Sequence, residues 1–285
     1  MKQAAHVTKV DVTGSGDEHV SLFQKLLDTS PRGLYVDLGV NQGTLVKAAV
    51  ARGHPAVGFE AIAQNYVFFL ESTRNLQCRE SVRVFHIAAS ERSGDLLQFS
   101  ENQLGENMRN GQQLAVTDSN DLFSLQHVFT MRLDEVIDSQ ITLLKLDIEG
   151  GETSALKGAR CLLQQGLVDF IHSEFSPSNM ESVNGKGAPH EMLELLFSSK
   201  YRVFVDDCSH NILPEVTTLL PVKCGRQAER SAAEYETKVA TRDYAGLQDY
   251  EVTQVNAVRL VQILLENVTP LKCCLVNLVA FRSTK

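Results

Sequence analysis

An α/β fold, with a mostly parallel sheet covered by helices on both faces, is what this sequence predicts, and three features predict it. The apolar run Leu34-Tyr35-Val36-Asp37-Leu38 leads into Gly39-Val40-Asn41-Gln42-Gly43 and then an amphipathic segment over 45–52, which reads as strand, tight turn and helix. Strand-length runs ending in acids recur at 56–60, 141–149 and 167–174. Helix-length segments lie between them, so the strands are expected to be parallel, with right-handed crossovers. In sheets of this kind ligands bind at the carboxyl ends of the strands.

The 285 residues, 43% of them hydrophobic, suffice for one substantial core. Residues 1–285 are therefore read as one domain: an arm and helix over 1–32, an insertion over 91–130, and an extension over 206–285 that completes the sheet. A net charge of −8 argues against an extended nucleic-acid surface, which needs clustered Lys and Arg. No apolar run approaches the roughly 20 residues of a membrane span, and no basic-plus-apolar leader is present. A soluble, cytoplasmic protein is the expectation. Cys78, Cys161, Cys208, Cys224, Cys273 and Cys274 form no Cys-x-x-Cys pair and no zinc-type spacing with histidine, and are read as reduced, mostly buried thiols.

Taken in order, residues 1–16 are polar and expected to form a loosely held arm. Over 17–28, Val20, Phe23, Leu26 and Leu27 fall at helical spacing, before Pro31 resets the chain. At the turn after the first strand, Gly39 admits backbone conformations closed to other residues. Gly43 would let a ligand approach the main chain where the helix offers unpaired N–H groups. The second strand ends in Glu60, about 20 residues past the turn, where nucleotide-binding folds place an acid for the ribose hydroxyls. A helix over 65–76 carries Tyr66, Phe69, Leu70 and Thr73 on one face. The third strand, 81–89, holds His86, read as a satisfied core residue, and ends in the small Ala88 and Ala89, which suit a flat ring lying over a strand end. Between 91 and 130 the periodicity dissolves, and the polar stretch 102–110 is read as part of a lid or substrate loop. Residues 129–137 return as a strand and a helical turn.

Along 141–151, alternation sends Leu144, Leu146 and Ile148 one way and Lys145, Asp147 and Glu149 the other. Central parallel strands are normally apolar on both faces, so charges at this carboxyl end predict a polar crevice. A helix over 152–165 buries Leu156, Ala159, Leu162 and Leu163 and stops at Gly166. The strand over 167–174 ends in Glu174, with His172 on the same face. Beside its predecessor it would bring Glu174 next to Asp147, a pairing able to hold a substrate ammonium, a hydroxyl or a hard cation. Residues 176–189 are expected to be polar and mobile. Helices over 190–199, 226–240 and 252–266 and strands over 201–205 and 273–281 follow, the last free to enter the sheet antiparallel.

Asp37-Leu38-Gly39-Val40-Asn41-Gln42-Gly43, then Glu60, then Leu144-Lys145-Leu146-Asp147-Ile148-Glu149-Gly150-Gly151-Glu152 with Leu156-Lys157-Gly158-Ala159 resemble the FkbM-type methyltransferases over roughly 33–205. Gly151 and the long carboxyl-terminal portion depart from the usual pattern. The resemblance implies a Rossmann-like class I sheet of seven strands with a terminal antiparallel hairpin, and S-adenosylmethionine at the tips of the first three strands. It implies that Asp37, Gly39, Asn41 and Gly43 form the methionine-side loop, that Glu60 holds the ribose, and that Ala88 and Ala89 lie near adenine. Asp147, Glu174 and His172 then become the candidate bases for methylating a hydroxyl on a small molecule, sugar or lipid. A divalent cation held by Asp147 and Glu174 is an alternative way to acidify that hydroxyl. Three further readings stay open: N-methylation of an amine, a nicotinamide-dependent oxidoreductase using the same turn, and a non-catalytic binding module.

Overall fold

A computed structural model describes residues 17–74, 81–100, 125–205, 251–266 and 276–282. Its elements are α1 (Asp17–Asp28), β1 (Leu34–Leu38), α2 (Thr44–Ala51), β2 (Ala56–Glu60), α3 (Ala63–Ser72), β3 (Val82–His86), β4 (Ala88–Ala89), β5 (Leu96–Ser100) and β6 (Leu125–Met131). After a 3-10 turn at Leu133–Glu135 come β7 (Ile141–Leu146), α4 (Glu152–Gly158), α5 (Arg160–Gln165), β8 (Val168–Phe175), α6 (Pro177–Asn184), α7 (Ala188–Ser198) and β9 (Tyr201–Val205). The chain closes with β10 (Glu251–Val252), α8 (Gln254–Glu266) and β11 (Val276–Arg282).

Among the described residues eight strands form one sheet, rather than the seven expected, in the order β10-β9-β11-β8-β7-β1-β2-β3. β8, β7, β1, β2 and β3 run parallel, and β11 is antiparallel to both β8 and β9 between which it lies. The register explains the two cores. Tyr35 pairs with Leu143, Leu143 with Phe170 and Phe170 with Phe281, an apolar row that α1 and α2 cover with Phe23, Leu26, Leu27 and Val46. The opposite face carries Val36, Leu144 and Ile171, packed against Leu156, Leu163, Met192 and Leu196 of α4, α5 and α7. Complete burial of side chains of this size contributes about 2 kcal/mol each, which is why the parallel strands read as nearly continuous apolar runs.

Several expectations change in detail. The strand expected over 81–89 divides: β3 belongs to the main sheet, while Ala88 and Ala89 pair with Thr130 and Met131 in a separate three-stranded sheet, β4-β6-β5. His86 is exposed rather than in the core, because β3 is an edge strand; its ring stacks on Tyr66 at 5.4 Å and its Nε2 lies 3.1 Å from the Ala61 carbonyl. The stretch over 91–130 contains an ordered hairpin, β5–β6, while 102–110 lies outside the described residues. The helix expected over 152–165 breaks at Ala159 into α4 and α5. The segment over 176–189 is largely helical, since Pro177 opens α6 and Met180 enters the core. Cys161 is exposed; the other five cysteines, the arm over 1–16 and the charged helix over 226–240 lie outside the described residues. Among the described residues no helix is long and apolar enough to cross a membrane.

Candidate functional site

The carboxyl ends of β1, β2, β7 and β8 are stitched together by the main chain before any side chain contributes. Gly39 N–H donates to the Phe59 carbonyl at 2.9 Å, and Asp147 N–H to the Leu38 carbonyl at 3.1 Å. Gly39 has φ 87°, and a Cβ there would stand 2.0 Å from the Asp147 carbonyl oxygen, so a side chain is excluded by conformation and by space. Gly43, at φ 73°, is held to glycine in the same way: a Cβ there would stand 2.2 Å from the Phe69 ring. The start of α2 is thereby packed tightly against α3.

The turn between these glycines stays accessible. Asn41, at φ 49°, and Gln42 are exposed, and α2 starts without a side-chain cap or an acid in its first turn. An uncapped helix start suits the carboxylate of an amino acid. Glu60 is buried, and its two oxygens accept from Asn41 N–H at 2.7 Å and Ile62 N–H at 2.8 Å. Burial raises its pKa while those two amides oppose the shift. A carboxylate accepts about four hydrogen bonds, so each oxygen keeps capacity for one hydroxyl of a ribose diol. The donor set therefore fits the nucleoside and amino-acid ends of S-adenosylmethionine. Ala88 and Ala89 stand a short step away: Ile87 N–H donates to the Glu60 carbonyl, and both alanines are buried or half-buried on β4.

Across the crevice, register places Asp37, Lys145 and His172 side by side on one face of β1, β7 and β8. Lys145, 8% exposed, donates to the Gly39 carbonyl at 2.9 Å and pairs with Asp37 Oδ1 and Asp147 Oδ2, each at 3.3 Å. Burial works against its ammonium, but Asp147 and Asp37 outweigh that and hold its pKa above the ordinary lysine value. Burial raises Asp37, partly offset by Lys145. Lys145 was not among the expected site residues, yet it touches three of the positions that were.

Asp147 follows β7 and remains 46% exposed at its side chain. The Lys145 ammonium holds its carboxyl below the usual aspartate range. Glu174 comes from the neighbouring β8, and burial, then the charge of Asp147, pushes it up to about 9. One proton is thus shared between the two acids at neutral pH, and it resides on Glu174. A proton-sharing pair beside an ammonium does not suit a divalent cation, and among the described residues no group of three or more His, Cys, Asp or Glu side chains is placed to hold one. Glu149 leaves the row expected of it: β7 ends at Leu146, and Glu149 sits in a turn at φ 55°. Glu152 secures that turn, its Oε1 accepting from Ile148 N–H at 3.0 Å and Gly150 N–H at 3.3 Å.

The Leu-Lys-Gly-Ala segment acts by packing. A Cβ on Gly158 would lie 2.0 Å from the Ser90 carbonyl oxygen, so α4 can press against the chain just past Ala88 and Ala89.

The model for the methyltransferase FkbM domain matches residues 37–203. No curated protein matches the chain. Among solved structures, a methyltransferase FkbM from Methylobacillus flagellatus KT is 18% identical, with 61% of this chain and 39% of that one covered and a TM-score of 0.41. The chain thus spans about two fifths of the length of that protein. The plantazolicin methyltransferase BamL, in complex with a triazolic desmethylPZN analog and SAH, is 10% identical over 94% of this chain and 84% of its own, with a TM-score of 0.43. An O-methyltransferase from Bacillus cereus, in complex with SAH, is 10% identical over 68% and 74%, with a TM-score of 0.40.

Proposed function

The chain belongs to the FkbM methyltransferase family, and from that premise we propose that it transfers the methyl group of S-adenosylmethionine to a hydroxyl on a small-molecule, sugar or lipid acceptor. When bound, the cofactor supplies an electrophilic methyl group on a positively charged sulfur. The exposed Asn41-Gln42 turn and the uncapped start of α2 hold its amino-acid end, with Asp37 and Gly39 fixing the turn from beneath. Glu60 accepts from the ribose hydroxyls, and Ala88 and Ala89 border the adenine.

The observation that carries the choice of acceptor is the Asp147–Glu174 pair. A hydroxyl must lose its proton as its oxygen gains the methyl group, and the half-exposed Asp147 carboxylate, whose charged form Lys145 favours, is the acceptor in this reading. Glu174, neutral below about pH 9, leaves the two neighbouring acids with a single negative charge. His172, in register with Lys145, flanks them. An amine reacts only as its free base, whereas an ionised carboxylate beside it favours the unreactive ammonium, so the same pair disfavours N-methylation.

Calorimetric titration with S-adenosylhomocysteine, against NAD, tests the cofactor; affinity for NAD alone would end this reading. Matched alcohol and amine acceptors then test the chemistry. Methylation of the alcohol is expected, and exclusive modification of the amine would overturn the choice of oxygen.

A further inference from the structure

Lys145 stands where a solvent-facing residue would have no place. Every residue of β7 is buried, and the others, Ile141, Thr142, Leu143, Leu144 and Leu146, carry no charge. Leaving an ammonium there unpaired would cost several kcal/mol. An ammonium has three N–H donors, and three protein oxygens surround this one: the Gly39 carbonyl, Asp37 Oδ1 and Asp147 Oδ2. It donates to the Gly39 carbonyl, and the two carboxylates balance its charge. Its partners, however, belong to both halves of the site. Gly39 and Asp37 form the floor of the turn, and Asp147 is the proton acceptor across the crevice.

We infer that Lys145 is a positioning residue that couples the cofactor turn to the carboxylate that receives the acceptor's proton, an inference that rests on the methyl-transfer reading. It fixes the direction of the Gly39 carbonyl and hence the shape of the turn. Its charge also keeps Asp147 ionised, which leaves the shared proton on Glu174. The groups around this centre are Tyr35 and Asp37 from β1, His172 and Glu174 from β8, Glu149 from the turn after β7, and Glu152 from α4. Without the ammonium, Asp37 and Asp147 face each other across β1 and β7 with nothing between them, and the proton moves toward Asp147.

Two measurements on Lys145→Met and Lys145→Arg test this, with folding checked by thermal unfolding. In the ligand-free proteins, carboxyl carbon resonances are followed through a pH titration; in parallel, the affinity for S-adenosylhomocysteine is measured by calorimetry. Lys145→Met is expected to raise the titration midpoint of Asp147 by about one pH unit or more and to weaken S-adenosylhomocysteine binding about tenfold. Lys145→Arg, which keeps the charge, should restore the low midpoint. An unchanged Asp147 midpoint in Lys145→Met, or no restoration by arginine, overturns the inference. Should Lys145→Met not fold, Lys145→Gln, which keeps an N–H for the Gly39 carbonyl and removes the charge, takes its place in the same titration, and an unchanged Asp147 midpoint overturns the inference. Failure of the unaltered protein to bind S-adenosylhomocysteine removes the methyl-transfer reading itself, a result the titration distinguishes from failure of the coupling.

Discussion

Glu60 and Glu174 are the same residue type at equivalent places, the carboxyl ends of parallel strands in one sheet, and they are tuned for opposite work. Both lose water on folding, and burial raises both. Glu60 looks at backbone amides: Asn41 and Ile62 donate to its two oxygens, so its charge is compensated by fixed dipoles and it serves as an acceptor. Glu174 looks at other carboxylates, Asp147 foremost with Glu149 and Glu152 beyond, and answers by keeping its proton to about pH 9. What an acid at a strand tip does is set by what the neighbouring loop turns toward it. Backbone amides stabilise the charged form of an acid; a second acid disfavours it.

That contrast can be broken at graded cost. Gly39→Val should abolish cofactor binding and destabilise the fold by on the order of 3 kcal/mol, since its Cβ would meet the Asp147 carbonyl at 2.0 Å; calorimetry and thermal unfolding measure both. Asp147→Asn should lower methyl transfer by roughly 100-fold or more while S-adenosylhomocysteine still binds, as removal of a general base does. Glu60→Ala should weaken cofactor affinity about tenfold with little change in the maximal rate, which a comparison of kcat with KM resolves.

Glu174→Gln sharpens the comparison through pH. In the unaltered protein the rate should rise again as pH passes about 9, where Glu174 ionises and the pair becomes a stronger base; glutamine should erase that limb and leave the rate at neutral pH within a few-fold. The smallest effect is on stability. Burial raises Glu152 from 4.5 to about 7, so the folded protein binds more protons than the unfolded chain between those values, and stability falls as pH rises through them. Glu152→Gln should flatten that fall in a series of thermal melts.

The scaffold was largely legible because its signals are local. Helix 17–28 and strand 201–205 appear at their expected bounds, and β11 enters antiparallel as its missing crossover allowed. Apolar runs and glycine stops identify parallel strands and their helices without tertiary information. The division of 81–89 escaped because the break at Ile87 depends on pairing with β6, more than 40 residues later, which no local pattern announces. Gly43 and Gly158 were visible as glycines, but their reasons, Phe69 and the Ser90 carbonyl, lie in other elements. Lys145 was readable only as one charge among three. A cation inside an otherwise apolar central strand, two residues before an acid, was the available signal that it is buried and paired. Asp147 and Glu174 were expected to be neighbours, whereas which of them holds the proton follows from burial of Glu174 and from Lys145 beside Asp147.

Incubating the protein with a metabolite extract and S-adenosylmethionine carrying an isotopically labelled methyl group, and identifying the labelled product by NMR, shows directly which atom receives the methyl group. A methyl group bonded to oxygen is expected, formed by the unaltered protein and about 100-fold more slowly by Asp147→Asn. A labelled N-methyl product, or O-methylation undiminished in Asp147→Asn, would contradict it.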